Sequence, residues 1–388
     1  MRSGLPAPLR LGIVGLGMAG GVMVQAALSH PGFRIAAAAD PDATLRGRFA
    51  ADFDVPVHGD IGPLLESGDV DAVYIATPHQ MHRDHVVRAA SAGKHVVVEK
   101  PMALSLADCD AMIAACDAAD VTLIVGHSHG FDPSLLTARR LMEAEVGPAA
   151  LVTALNYTDF LYRPRRPEEL RTDLGGGVLF NQLPHQVDMV RTLVPSPVTS
   201  VRAVARALDP ARNTEGLYSV LLEFADGAAA TLTYSGHDGF DSDEFYDWVG
   251  EGGFAKRPAQ GATRRALATT DEAAARRDRY GYGSGLSAGM PPHQPHFGLV
   301  LATCLGGDLR LTPDGVTLYG RDGVRAITTD RHAWRPGRGD VLEELYAAVR
   351  HGQAPIHDGE FGRATVQVCL AVLQSARERR DIQLGLSA

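Results

Sequence analysis

Residues 9–20 read LRLGIVGLGMAG, and no other stretch constrains the fold as tightly. A short apolar run (Leu11, Ile13, Val14) passes directly into Gly15-x-Gly17-x-x-Gly20, and an Ala/Val/Met-rich helical stretch follows. Each glycine has a physical task. Gly15 permits the tight turn from strand to helix, Gly17 lets the backbone approach a pyrophosphate, and Gly20 lets the helix pack close on the sheet. Met18 and Ala19 open the helix, whose free N–H groups and partial positive charge favour a phosphate. A second apolar run, RIAAAAD, ends at Asp40, about 20 residues on, where a carboxylate can accept both hydroxyls of an adenosine ribose. The chain holds 42 glycines, so the glycine spacing alone would say little. The strand before it, the helix after it and the acid at the next strand's end make it a dinucleotide turn. A carboxylate at position 40 repels a 2′-phosphate and no arginine directly follows it, so NAD is expected rather than NADP.

At 388 residues the chain is long for one core, which favours two domains. Up to about Gly126, apolar strands at 11–14, 35–39, 72–76, 95–98 and 122–125 alternate with helical stretches such as 82–92 and 106–119. That alternation means a parallel sheet covered on both faces, an α/β Rossmann domain over residues 1–130. From residue 131 the character changes. One helical stretch (133–145) leads to β-rich runs at 149–157, 198–207, 218–224 and 228–235; strands resume at 297–311, and a helical tail (340–350, then 362–379) follows. Alternation at period two, as in VRAVARA, describes a sheet with one covered face and one face exposed or buried by another subunit. Residues 131–388 therefore read as an α+β domain with a mostly antiparallel open sheet. Residues 250–295, rich in Gly, Ala, Arg and Pro, read as a long, partly mobile loop with a short helix near 271–279. Residues 1–10 read as a short tail.

The formal net charge of −9 argues against a nucleic acid or an anionic membrane as partner. No apolar run approaches membrane-spanning length. Cys109, Cys116, Cys304 and Cys369 show no CxxC spacing, and the first two fall on one face of a helix. This reads as a reduced, cytoplasmic protein without a structural metal.

In an open α/β sheet, ligands sit at the carboxyl ends of the strands. Thr77, Pro78, His82, Glu99, Lys100 and His127 are therefore expected to line the cofactor. Lys100 can reach both a nicotinamide ribose and a substrate hydroxyl, with Pro101 setting the turn. His127 and His129 follow a strand and are expected along the same cleft; no cysteine or carboxylate accompanies the histidines at ligand spacing, so no metal is expected. Residues 175–193, GGGVLFNQLPHQVDMVRTL, put Pro184 in the first turn of a helix with an apolar stripe of Leu183, Val187, Val190 and Val194. His185, Asp188 and Thr192 fall on a different face, so His185 is a candidate proton acceptor and Asp188, at i,i+3, can fix its tautomer. Residues 162–173, YRPRRPEELRTD, hold Arg163, Arg165, Arg166 and Arg171. Guanidinium forks bind carboxylates bidentately, which suggests a small anionic ligand. Glu168, Glu169 and Asp173 offer the alternative that the run neutralises itself.

GLGMAG with Asp40, ATPHQMHRDH, GKHVVVEKPMALS, IVGHSHGFDP and GGGVLFNQLPHQVD resemble, in order, the motifs of the glucose–fructose oxidoreductase / inositol dehydrogenase / MocA family. The resemblance implies a C-terminal open sheet that makes the interface of a homo-oligomer, dimer or tetramer, and hydride transfer at a carbinol carbon. In that family the lysine of an EKP motif and the aspartate and histidine of a DxxxH motif form the catalytic group. Here these fall on Lys100, Asn181 and His185; Asn181 carries no charge, which shifts the proton-accepting role onto His185. LNYTDFLYRPRRPEELRTD and HDGFDSDEFYDW resemble the branch that oxidises phthalate-type cis-dihydrodiols with NAD. That implies a small anionic cyclic substrate whose carboxylates are held by Arg163, Arg166 and Arg171. Two other readings stand beside it: a sugar or inositol dehydrogenase, and a nucleotide-sensing regulatory protein without turnover.

Overall fold

The computed structural model describes residues 7–284, 290–329 and 337–385, which fall into two compact units. In the first, β1 (Leu9–Val14), α1 (Met18–Ser29), β2 (Phe33–Ala39), α2 (Ala43–Asp52), β3 (Val57–His58), α3 (Ile61–Glu66), β4 (Ala72–Ile75), α4 (His82–Ser91), β5 (His95–Val98), α5 (Leu106–Ala118) and β6 (Leu123–Val125) follow one another. All six strands are parallel, in the order β3-β2-β1-β4-β5-β6. The order reverses at β1, and the crevice beside its carboxyl end is the dinucleotide position of such sheets. The strands are nearly continuous apolar runs because both faces are covered; β4 is buried along its whole length. Short polar side chains start the helices: Asp42 caps α2, Asp60 caps α3 and Ser105 caps α5, each accepting from backbone N–H groups one turn ahead. Of the expected N-terminal tail, Leu9 and Arg10 belong to β1, and Met1–Pro6 lie outside the described residues.

The chain continues with α6 (Pro133–Leu141), β7 (Ala149–Tyr157), α7 (Gly177–Asn181), α8 (Leu183–Leu193), β8 (Val198–Arg206), β9 (Leu217–Phe224), β10 (Ala229–Ser235), α9 (Ala262–Leu267), α10 (Glu272–Tyr280), β11 (Leu299–Cys304), β12 (Gly307–Thr312), β13 (Gly315–Gly320) and β14 (Gly323–Thr328). After these come α11 (Arg338–His351), α12 (Gly359–Glu378) and β15 (Ile382–Gln383). Among the described residues, nine strands form the sheet of the second unit, ordered β14-β13-β12-β11-β7-β10-β9-β8-β15, and only β7 and β10 pair in parallel. One face is the core: Val152, Ala154, Val220, Leu222, Ala230 and Leu232 pack with Leu183, Val187 and Val190 of α8. The other face leaves Leu151, Val204, Leu221 and Tyr319 exposed. Strand alternation produces this split, since successive side chains point to opposite faces. β13 and β14 lie beyond the strands expected from sequence; β14 is exposed along most of its length, so it carries no apolar signature.

The units are not a simple division at residue 130. Residues 274–284 and 337–366 cluster with the first unit. Tyr282 explains part of this: its amide donates to the Leu16 carbonyl at 2.9 Å, its hydroxyl to Asp52 at 2.9 Å, and its ring stands edge-on to Phe49. α11 packs against α1, with His30 bonded to Glu343 at 2.8 Å. Residues 250–295 are accordingly no single loop. They hold α9, α10 and the anchored Tyr282, whereas residues 285–289 lie outside the described residues.

Candidate active site

The glycine turn behaves as its spacing requires. Gly15 has φ +97°, and a Cβ there would lie 2.6 Å from the Ala76 carbonyl oxygen. A Cβ on Gly20 would overlap the carbonyl oxygen of Gly15, while one on Gly17 would meet nothing within 4 Å. Gly15 and Gly20 therefore serve internal packing, and Gly17 faces open space. No side chain caps α1 at Gly17, and its first turn (Met18, Ala19, Gly20) holds no acid, so the leading N–H groups remain available to a phosphate. Asp40 is pinned at the end of β2. The Leu16 amide donates to Oδ2 at 2.6 Å and the Asp42 amide to Oδ1 at 2.8 Å, which leaves each oxygen a further lone pair. Arg46 donates to the carbonyls of Asp40 and Pro41, both at 2.8 Å. These residues fit NAD: an open helix N-terminus for its pyrophosphate and an oriented carboxylate for its ribose.

The other cofactor candidates of the first unit divide into groups that face outward and groups spent on the scaffold. Lys100 remains partly exposed at the end of β5, joined to Pro101 by a cis peptide. Thr77 Oγ1 meets His85 Nδ1 at 3.1 Å. His82 corrects its sequence assignment. Fully buried, it sets Nε2 3.0 Å from the Thr77 carbonyl and Nδ1 3.0 Å from the Pro101 carbonyl, and the neutral ring donates its one N–H to one of these two turns while packing against the other. Burial pushes its pKa down to about 4. Glu99 is likewise spent, bonded to the Tyr74 hydroxyl and paired with Arg338. His127 is buried between His357 and Phe361, with ring centroids 6.0 and 5.6 Å away.

In the second unit, α8 carries the expected apolar stripe, but its opposite face is also covered: His185 is 9% exposed and Asp188 fully buried. Asp188 Oδ2 accepts the Gly130 amide at 2.7 Å and so fixes the segment bearing His129. The His129 ring stands edge-on to His185 at 4.7 Å, and Phe297 lies against both rings at 5.0 and 4.8 Å. His129 Nδ1 bonds Asp132 Oδ2 at 2.7 Å. Burial disfavours the His129 cation, but Asp132, with Glu251 and Asp188 beyond it, outweighs burial and raises its pKa above the ordinary histidine value. The sequence expectation grouped His129 with His127 along a cofactor cleft; the two belong to different units. The signal was there to read, because His129-x-x-Asp132 is an i,i+3 pair.

The arginine run largely neutralises itself. Arg171 pairs with Asp173 on the surface, and Arg166 Nε lies 3.2 and 3.4 Å from Glu168 and Glu169. Arg165 lies 3.6 Å from the Phe160 ring centroid. Arg163 differs. Its Nε bonds Asp159 at 2.7 Å and its Nη2 reaches Glu251 at 3.3 Å, which holds the guanidinium rigidly and leaves Nη1 over. Burial favours the neutral form of Glu251, yet Arg163 and the Asn156 amide (3.0 Å) keep its pKa below the usual value. Asn181 also has a different task from the one its motif suggests. Its amide nitrogen donates to the carbonyls of Gly175 (3.1 Å) and Gly177 (2.8 Å), holding the glycine turn that enters α7. An ionised aspartate has no hydrogen to donate there.

Among the described residues, no helix is long and apolar enough to cross a membrane. Residues 9–127 match the GFO/IDH/MocA oxidoreductase family, NAD-binding Rossmann fold, and residues 135–256 match the GFO/IDH/MocA C-terminal domain. The chain is 40% identical over 95% of its length, and 95% of the relative's, to the 1-carboxy-3-chloro-3,4-dihydroxycyclohexa-1,5-diene dehydrogenase of Comamonas testosteroni. A crystal structure from Bordetella bronchiseptica RB50, of a protein classed as a dehydrogenase, shares 44% identity and superposes with a TM-score of 0.93 over 97% of this chain and 100% of that one. The aldose–aldose oxidoreductase of Caulobacter crescentus shares the fold at 21% identity, with a TM-score of 0.73 over 97% and 100% of the two chains. An open glycine turn with its oriented aspartate, a nine-stranded second sheet and these likenesses agree: the chain belongs to the GFO/IDH/MocA family of oxidoreductases and carries that family's NAD-binding Rossmann domain.

Proposed function

We propose that this chain oxidises a carboxylated cyclic cis-dihydrodiol to the dihydroxyarene, with NAD⁺ as acceptor. The observation that carries this reading is the packing of His185. A buried imidazole against Phe297 combines a base with a flat apolar wall, which suits a planar ring bearing a hydroxyl. The likeness to a dehydrogenase of a carboxylated dihydroxycyclohexadiene supports the same substrate class. When bound, NAD⁺ supplies the hydride acceptor for the carbinol carbon. His185 takes the hydroxyl proton, a contribution of about 10²- to 10⁴-fold for a positioned base. The family resemblance gives Lys100 the task of orienting the hydroxyl by donating a hydrogen bond. The ring ketone then loses its neighbouring ring proton and rearomatises, so diol and NAD⁺ give dihydroxyarene, NADH and H⁺. Rearomatisation drives the reaction, so no charged partner at position 181 is required.

The number of carboxylates is the finer question. Four arginines suggested the two carboxylates of a phthalate 4,5-cis-dihydrodiol, but Arg171 is paired with Asp173 on the surface and Arg166 has Glu168 and Glu169 beside its Nε. Arg163 is the member of the run that we assign to the substrate. A panel of ring diols with no, one or two carboxylates, incubated with NAD⁺ or NADP⁺ and followed by reduced-nicotinamide absorbance, tests the reading. Turnover of carboxylated diols with NAD⁺, abolished in His185→Ala, is expected. Turnover confined to inositols or sugars would overturn it.

A further inference from the structure

We propose that His129, acting with Arg163, receives the substrate's carboxylate and admits one such group rather than two. This rests on the reading that the substrate is a ring diol. His129 is held for the task from behind: Nδ1 is bound to Asp132 at 2.7 Å, so the opposite ring edge carries Nε2, which has no hydrogen-bond partner among the described residues. The side chain keeps 16% of its surface exposed. Its ring lies edge-on to His185, the proposed base, at 4.7 Å, so an anion on Nε2 would be anchored beside the reacting hydroxyl. Arg163 is fixed in the same manner, with Asp159 and Glu251 on Nε and Nη2 and Nη1 left over. Geometry ties the two to one locality: Glu251, which pairs with Arg163, accepts the His296 amide on its backbone carbonyl at 3.1 Å, and the next residue, Phe297, lies against the His129 ring at 5.0 Å.

The charges facing this locality come from every element around it. Arg163, Arg165, Lys256 and His129, whose protonated form Asp132 favours, are the basic groups; Asp132 at the start of α6, Asp188 on α8, Asp159 after β7, Glu251 and Asp243, which pairs with Lys256, are the acids, and His296 stands within electrostatic reach of Glu251. The acids outnumber the cations, and each is turned towards a donor already named or, for Asp188, the Gly130 amide. One carboxylate can meet the two open N–H edges. A second would meet surplus negative charge, which disfavours a dicarboxylated ring.

The test compares His129→Gln, which keeps a donor and removes the cation, with His129→Arg, which keeps the cation. Steady-state kinetics with NAD⁺ use a ring diol bearing one carboxylate and the same diol without it. His129→Gln should raise KM for the carboxylated diol roughly 10- to 100-fold, the loss of a charge-assisted bond, while KM for the uncarboxylated diol stays within about twofold. His129→Arg should recover most of the loss, and the dicarboxylated diol should bind wild type more weakly than the monocarboxylated one. Equal effects of His129→Gln on both diols would overturn the assignment, and so would tighter binding of the dicarboxylate. Calorimetric binding of dihydroxybenzoate against catechol is read in parallel, with NAD⁺ affinity as the control for folding. If wild type oxidises neither diol, the proposed reaction fails. A dihydroxybenzoate preference that His129→Gln abolishes would still uphold the carboxylate receptor, and its absence would sink it.

Discussion

Replacing Asn181 by the aspartate of the family motif tests whether this position serves structure or proton chemistry. In Asn181→Asp, two donated bonds disappear, those to the carbonyls of Gly175 at 3.1 Å and Gly177 at 2.8 Å. Each is worth about 0.5–1.5 kcal/mol net, and the two carbonyls then face an anion, so the expected loss is about 2–4 kcal/mol. Alternative partners for these carbonyls are limited, because Gly175 and Gly177 hold positive φ angles of 82° and 74° that define the turn. Urea unfolding followed by tryptophan fluorescence reads the loss, since Trp248 reports on the second unit. The pH dependence carries a sign. A carboxyl facing two carbonyls binds its proton more tightly when folded than when unfolded, so its folded pKa is raised. Between the ordinary carboxylate pKa and that raised value stability falls as pH rises, and the deficit of Asn181→Asp should shrink on acidification. A variant as stable as wild type at neutral pH, or one with higher turnover, would refute the donor role.

Three further outcomes follow from the geometry. Gly20→Ala should weaken NAD⁺ binding by about tenfold or more in calorimetry, because its Cβ overlaps the Gly15 carbonyl and pushes α1 off the turn. Arg171→Ala should leave KM and stability unchanged, as its pair with Asp173 is exposed, whereas Arg163→Ala should cost roughly 3 kcal/mol by leaving Glu251 uncompensated. Equal effects of the two arginine variants in denaturation and kinetics would contradict this. His82, with a pKa lowered to about 4, binds fewer protons folded than unfolded between that value and 6.5, so its contribution is complete above pH 6.5. Up to roughly 3 kcal/mol should be lost as pH falls from 6.5 to 4, and urea titrations of His82→Asn should show that drop flattened.

Local pattern was enough for several parts of the molecule. The dinucleotide turn was legible because its glycines act on backbone atoms a few residues away, as the Gly15–Gly20 approach shows. The parallel sheet followed from buried runs such as 72–75, where burial on both faces writes itself into every residue. α8 was legible from its stripe and its proline, and the self-neutralising alternative for Arg166 and Arg171 was visible in the acids two and three residues away. β13 and β14 escaped notice because an exposed edge strand needs no apolar period.

What the order of residues determined by itself was therefore the Rossmann turn, the aspartate at the end of its second strand and the helix that bears His185. Only the tertiary structure decided which polar side chains remain available for chemistry. Glu251 meets Arg163 from 88 positions away, Arg338 meets Glu99 from 239, and Asp188 holds Gly130 from 58. The physical reason is that a charge is spent or kept according to what stands within about 3 Å of it, and those neighbours are brought by folding rather than by adjacency in the chain.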